Sequence, residues 1–138
     1  MKRIILISAI IMSAVSCNRL NPFLTEWNTP YGIPDFEQIK EKHYIPAIEY
    51  GIRQQQGEID AIIANTDAPT FENTLVELEK TGQLLSRVSA SFNILTGTET
   101  NEELQALEEE LSPKFAAHND AIYLNGDLFN RIKKIYEQ

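Results

Sequence analysis

Apolar and small residues recur along the middle of the chain at helical spacing. Phe71, Leu75, Leu78, Gly82, Leu85, Ser89, Phe92 and Leu95 step by three and four residues, which lines them along one side of a helix. The spacing predicts one continuous helix from Phe71 to Leu95, ended by Thr96-Gly97-Thr98. Gly82 and Ser89 are small positions within this stripe. They would let a neighbouring helix approach closely, at the propensity cost of a mid-helix glycine. A second stripe, Leu104, Leu107, Leu111, Phe115, His118 and Ile122, follows Thr100 and Glu103, which are spaced as a capping box. Pro113 interrupts it, either restarting a helix after Ser112 or kinking the existing one. Asn125-Gly126-Asp127 reads as a turn, with Phe129, Ile132 and Ile135 opening a last helix that the chain's end would cut short without a cap.

The upstream pattern is also helical. Asp35 is placed as the N-cap of a short helix carrying Phe36, Ile39 and Tyr44. Pro46 suits the first turn of the next helix, whose apolar positions are Ile48, Ile52, Ile59, Ile62 and Ile63. Gln54, Gln55 and Gln56 form its wet side, and Asn65 to Pro69 closes it with turn residues. No strand alternation or internal repeat stands out. The expected class is all-α, with antiparallel helices joined by short connections across residues 35–138.

Residues before this body have a different character. Lys2 and Arg3 precede an apolar run from Ile4 to Met12, followed by small residues and Cys17. Residues 1–16 read as a secretory signal peptide, too short to span a bilayer as a stable helix. Ala14-Val15-Ser16-Cys17 resembles a bacterial lipobox, which would make Cys17 the lipidated residue and the membrane anchor. The alternative is an ordinary signal peptide with an incidental cysteine. Cys17 is the single cysteine, so no internal disulfide is possible. The expected location is the cell envelope, lipid-anchored and facing the periplasm. Residues 17–34 hold Pro22, Pro30, Gly32 and Pro34 among Phe23, Trp27 and Tyr31. This composition predicts an extended strap, with Trp27 and Tyr31 lying across a folded body.

Charge narrows the partners. The whole chain has 12 Lys+Arg and 20 Asp+Glu; without Lys2 and Arg3 the balance is 10 against 20, a net −10. Such a surface repels nucleic acid and anionic headgroups. No nucleic-acid partner is expected.

Candidate chemistry is sparse. A zinc hydrolase helix needs two histidines four apart with a glutamate after the first, so that both imidazoles share one face. The two histidines, His43 and His118, are followed by Tyr44 and Asn119. Neither begins that motif, and two cannot build a three-histidine site. Glu41 and His43 would point apart, and His118 on its apolar stripe reads as a hydrogen-bonded packing residue. Glu108-Glu109-Glu110 fan outward as a solvated face, and Asp60 and Asp67 are isolated. No nucleophile elbow or phosphate loop exists. No catalytic residue, metal ligand or cofactor is assigned to this chain.

Ordered strings carry more than periodicity. Trp27-Asn28-Thr29-Pro30-Tyr31-Gly32 leads to Pro34-Asp35-Phe36, then to His43-Tyr44-Ile45-Pro46-Ala47-Ile48-Glu49-Tyr50-Gly51. Pro69-Thr70-Phe71-Glu72-Asn73-Thr74, Gly82-Gln83-Leu84-Leu85-Ser86-Arg87-Val88 and His118-Asn119-Asp120-Ala121-Ile122-Tyr123-Leu124-Asn125 follow in order. From about residue 21 onward the set resembles the amino-terminal region of the thimet-oligopeptidase-like zinc metallopeptidases, nearest to the bacterial peptidyl-dipeptidase and oligopeptidase A types. The resemblance implies part of the amino-terminal lobe of a larger, two-lobed helical peptidase whose channel admits short peptides. It also implies zinc on an H-E-x-x-H helix far downstream, at positions this chain does not contain.

The expectation is therefore a non-catalytic amino-terminal fragment of an exported zinc-dependent oligopeptidase, short because of a truncated gene or an incomplete sequence. A missing catalytic region would cover its apolar surface. The alternative is a standalone helical envelope lipoprotein that binds peptides or a protein. A regulatory half assembling with a separately encoded catalytic half is a third reading.

Overall fold

The computed structural model describes residues 21–27, 29–98 and 101–138. Its axis is helix α1, Tyr44–Ala64. A 3₁₀ turn, Glu41–His43, feeds into it, and the Lys40 amide donates to His43 Nδ1 at 3.0 Å. The helix ends where Asn65 turns extended. Its first half buries Tyr44, Ala47, Ile48 and Gly51; its second half buries Ile59 and Ile62.

Three further helices pack on α1: α3 (Gln83–Thr98), α4 (Glu102–Tyr123) and α5 (Gly126–Tyr136). A π-helical turn, Phe71–Val76, and the short α2, Glu77–Lys80, connect α1 to α3. Contacts fix the directions. Tyr44 meets Ser91 while Gln55 meets Thr81, so α3 runs antiparallel to α1. Glu49 pairs with Lys114 and Gln55 with His118, so α4 returns parallel to it. Among the described residues the architecture is all-α, with α3 antiparallel and α4 parallel to α1 and α5 packed at the carboxyl end of α1.

Two apolar clusters lie along α1. The larger joins Phe23, Ile39, Tyr44, Ala47, Ile48, Leu85, Val88, Phe92, Leu104 and Leu111. The smaller joins Ile59, Ile62 and Leu128, with Leu78, Ile122 and Ile132 against it. In the larger one, Phe23, Tyr44 and Phe92 form a run of tilted rings with centroids 4.9 and 5.2 Å apart. The Tyr44 hydroxyl lies 3.2 Å from Ser91 Oγ, so its polar end is partnered inside the core. Phe23 is delivered by a 3₁₀ turn, Pro22–Leu24, whose cap Asn21 accepts from the Phe23 amide and donates to the His43 carbonyl. Full burial of Phe23 contributes about 2–3 kcal/mol. Trp27 extends the aromatic run, with the Arg87 guanidinium 4.8 Å from its ring centre.

Several expectations are corrected. No helix follows Asp35. Its carboxylate instead accepts from the Glu37 amide and the Gln38 side chain, holding a turn that buries Ile39 and leaves Phe36 exposed. The third helix is not continuous. Gly82 sits at φ +68 and breaks it, because its amide is drawn to Glu58 Oε2 at 2.8 Å. The close helix approach falls at Gly51, where an added Cβ would lie 3.0 Å from Leu85 Cα. Val88 is fully buried, and Ser89 is half-buried with its hydroxyl enclosed. The described cap of α4 is Asn101, which accepts from the Leu104 amide at 2.8 Å, while Thr100 lies outside the described residues. Helix α4 passes through Pro113 unbroken. On α5, Leu128 and Arg131 are buried and Phe129 is exposed, one position off the expected stripe. The described part of that helix runs to Tyr136, and the Gln138 side chain donates to the Pro69 carbonyl. Trp27 packs on the body, but Tyr31 is fully exposed.

The two mid-helix glycines of α1 should separate cleanly. Gly51→Ala must push α3 away and is expected to destabilise by about 1–3 kcal/mol. Gly57 has open space around it, so Gly57→Ala is expected to stabilise by about 0.5–1 kcal/mol. Urea unfolding of both variants checks the pair; equal effects would refute the close α1–α3 contact.

Candidate functional site

Between the two apolar clusters lies a belt of polar groups contributed by α1, the α2–α3 break and α4. His118 Nε2 is 2.8 Å from Gln55 Oε1, and Gln55 Nε2 donates to Thr81 Oγ1 at 3.2 Å. Thr81 in turn donates to the Leu78 carbonyl at 2.8 Å. The direction of the chain is thereby set. Thr81 gives its only proton to Leu78, so it accepts from the Gln55 amide, and Gln55 Oε1 accepts from His118. His118 must carry its proton on Nε2. The histidine is 6% exposed, and burial lowers its pKa, keeping the imidazole neutral. Gln55, expected on the wet side of α1, is instead the centre of this belt.

Why the chain breaks here follows from the same groups. The Gly82 amide reaches back to Glu58, and a Cβ on Gly82 would displace the Gln55 carboxamide from the belt. Glycine suits the position for its left-handed backbone, and a side chain there would disturb the Gln55 contact. The belt opens onto a cleft of about 570 Å³ between α3 and α4, lined by Leu78, Leu85 and Ser89 on one side and Phe115 and Ile122 on the other.

The Pro69-to-Thr74 string builds a second polar joint. Thr70 and Asn73 cap each other reciprocally, at 3.1 and 2.8 Å, and Asn73 also donates to the Ala68 carbonyl. Arg131 from α5 inserts beside them, donating to the Asn65 carbonyl at 2.5 Å and approaching Asn73 and Thr74 at 3.4 and 3.5 Å. A buried cation at the carboxyl end of α1 also opposes that helix's negative pole. The string's role here is structural: it fastens the α1–α2 connection to α5.

The remaining candidates do not converge. His43 spends Nδ1 on the Lys40 amide, and burial with Lys42 and Lys40 nearby lowers its pKa. Glu108, Glu109 and Glu110 are exposed. Glu110 and Glu49 pair with Lys114, at 2.9 and 2.6 Å, tying α4 to α1. Asp60 and Asp67 stand apart on the surface. Among the described residues no three His, Cys, Asp or Glu side chains gather where a metal could be held. Cys17 and the signal-like stretch lie outside the described residues. The belt itself was missed from sequence; the one signal for it was a histidine on an apolar stripe.

No family model matches the chain. Its sequence is 46% identical to the dipeptidyl carboxypeptidase of Salmonella typhimurium over 118 residues, which is 86% of this chain and 17% of that protein. The Escherichia coli dipeptidyl carboxypeptidase is 43% identical over 119 residues, 86% of this chain and 18% of that protein. Oligopeptidase A of Salmonella typhimurium is 21% identical over 115 residues, 83% of this chain and 16% of that protein. The chain is thus related to these peptidases over most of its length, and it spans less than a fifth of theirs.

The belt makes a pH prediction. Because burial lowers the folded-state pKa of His118, the unfolded chain takes up a proton first as pH falls below the ordinary imidazole value of about 6.5. Stability is full above that value and declines through the acid side. His118→Leu is expected to cost about 1–3 kcal/mol at neutral pH, by leaving Gln55 Oε1 unpaired. The same variant should flatten the acid-side decline. Denaturant unfolding at a series of pH values checks both; an unchanged slope in the variant would contradict the assignment.

Proposed function

We propose that this chain is the amino-terminal, non-catalytic portion of an exported, zinc-dependent peptidase that cleaves short peptides. The observation that carries the reading is the 46% identity to a dipeptidyl carboxypeptidase over a stretch amounting to 17% of that enzyme. The described residues do not fit a zinc site. His118 uses Nε2 on Gln55, His43 uses Nδ1 on the Lys40 amide, and no carboxylate joins either of them. Zinc and the water it activates would be supplied by other parts of a longer polypeptide. This chain's residues then serve as frame: α1 holds α3, α4 and α5 in register, and the polar belt fixes where the α2–α3 break turns.

Export and anchoring belong to the same proposal. The basic-apolar-small order of residues 1–16 and the Cys17 context support them. Expressed in a bacterial host, the full chain is expected in the membrane fraction, and Cys17→Ala is expected to release it; retention of that variant overturns the lipid anchor.

A graft tests the peptidase reading. The stretch of the Escherichia coli dipeptidyl carboxypeptidase that this chain matches is replaced by residues 21–138. The chimera is expected to release dipeptides from peptide carboxyl ends within about tenfold of the parent rate. A folded chimera without zinc-dependent release contradicts the reading.

A further inference from the structure

The strap before α1 is part of the core rather than a loose lead. Phe23 is fully buried. Asn21 is buried as well, accepting from the Phe23 amide at 3.1 Å and donating to the His43 carbonyl at 2.9 Å. The body is therefore fastened at Asn21, and only residues 18–20 lie between it and Cys17. The covalent chain from Cys17 to Asn21 reaches at most about 14 Å. Beside this entry point a loop stands out. Trp27 and Ile39, on either side of it, both pack on the cluster that holds Phe23. Between them Tyr31 is fully exposed, Ile33 54% and Phe36 46% exposed. Tyr31 takes φ +65, a left-handed conformation that costs a tyrosine energy. The Thr29 hydroxyl donates to the Ile33 carbonyl across this turn, and the Asp35 carboxylate holds the next one. The loop is braced by hydrogen bonds, yet it holds its tyrosine wholly away from the body.

We infer that in the lipidated chain this loop rests on the bilayer and sets Tyr31, Ile33 and Phe36 into its headgroup region. The inference rests on the lipid anchor at Cys17 proposed above. The tether argues for the occupant. A reach of about 14 Å is less than half the thickness of a bilayer, so a body anchored through Cys17 keeps its entry point at the membrane. The loop is then held at high effective concentration against the surface, and a small apolar contact suffices. Side-chain chemistry fits as well, because aromatic rings with a polar tip favour the membrane–water boundary. Charge supplies no attraction. Residues 21–43 hold Glu26, Asp35, Glu37 and Glu41 against Lys40 and Lys42, four acids to two bases, a net −2. The contact is therefore apolar and has no preference for anionic lipid. It also orients the body. The amino end of α1 faces the membrane. Tyr123, next to the Ile122 that packs on the cluster at the other end of α1, lies roughly a helix length away, about 30 Å.

Tryptophan reporters in the full chain test this. Tyr31→Trp and Tyr123→Trp each add one indole, at an exposed site, to the single native Trp27. Neither is expected to change the melting of the chain. Each protein is purified from the membranes of a bacterial host and its mass is read for lipid on Cys17. It is then placed in phosphatidylcholine vesicles brominated high in the acyl chains, where bromine quenches the indoles it touches. The emission added at position 31 is expected to be quenched several-fold more than that added at position 123. Mixing in phosphatidylglycerol is expected not to raise it. Equal quenching at the two positions, or none at position 31, overturns the inference, and lipid found on Cys17 then leaves the anchor reading standing. Emission at position 31 that is shielded from aqueous iodide but untouched by bromine also overturns it, and identifies protein rather than lipid as the cover. Quenching that grows with phosphatidylglycerol overturns the apolar contact in favour of an electrostatic one. A chain that carries no lipid overturns the anchor reading and this inference with it.

Discussion

The contact between α1 and α3 at Gly51 is the constraint on which the other elements depend. With no side chain there, the Leu85 backbone comes within van der Waals range of α1, 3.0 Å from where a Cβ would stand. That proximity sets the depth at which Val88 and Phe92 enter the core beside Ile48 and Tyr44. It also places Ser91 within reach of the Tyr44 hydroxyl, so the aromatic run from Phe23 to Phe92 ends on a partnered group. Interiors are close-packed, and a shift of one helix is transmitted to its neighbours.

Further along the same helix the packing changes from apolar to polar. Gln55 and Glu58 occupy the level where α3 has to begin, and they hold the chain at Thr81 and Gly82 through directed hydrogen bonds. A polar layer between two apolar clusters is costly when any member lacks a partner. Here His118 closes it from α4, and burial keeps that imidazole neutral. The layer gives the helices one register, because sliding α3 or α4 along α1 would strand Gln55 between partners.

Much of this was legible in the sequence because helices with one buried face write their period into it. The existence and order of α1, α3, α4 and α5 followed from Ile48, Leu85, Leu111 and their repeats, as did the packing role of His118. The failures share a cause. Gly82 and Ser89 were read as small residues inside a helix, yet Gly82 is where the helix stops, for the sake of a hydrogen bond to Glu58 some twenty positions away. Gln55 was grouped with Gln54 and Gln56 as solvent-facing, although its partners lie on two other elements. Phe129 fits the spacing of Ile132 and Ile135, while the Asn125 cap and the Arg131 joint turn Leu128 inward instead. Periodicity reports which face is buried on average; it does not report tertiary hydrogen bonds.

The site's sparseness has the same origin as the fold's order. Several of its buried polar groups hold helices together: His118 on Gln55, Asn73 on Thr70 and Ala68, Arg131 through Nη1 on the end of α1. What remains outward is a cleft of mixed polarity between α3 and α4 and a surface of net negative charge. The proposed role is that of a frame for a peptidase whose reaction lies in other residues. Mass spectrometry of a short peptide incubated with the full chain, over a zinc titration, tests that claim most directly. The account predicts intact peptide and no saturable zinc uptake; dipeptide release that rises with bound zinc would contradict it.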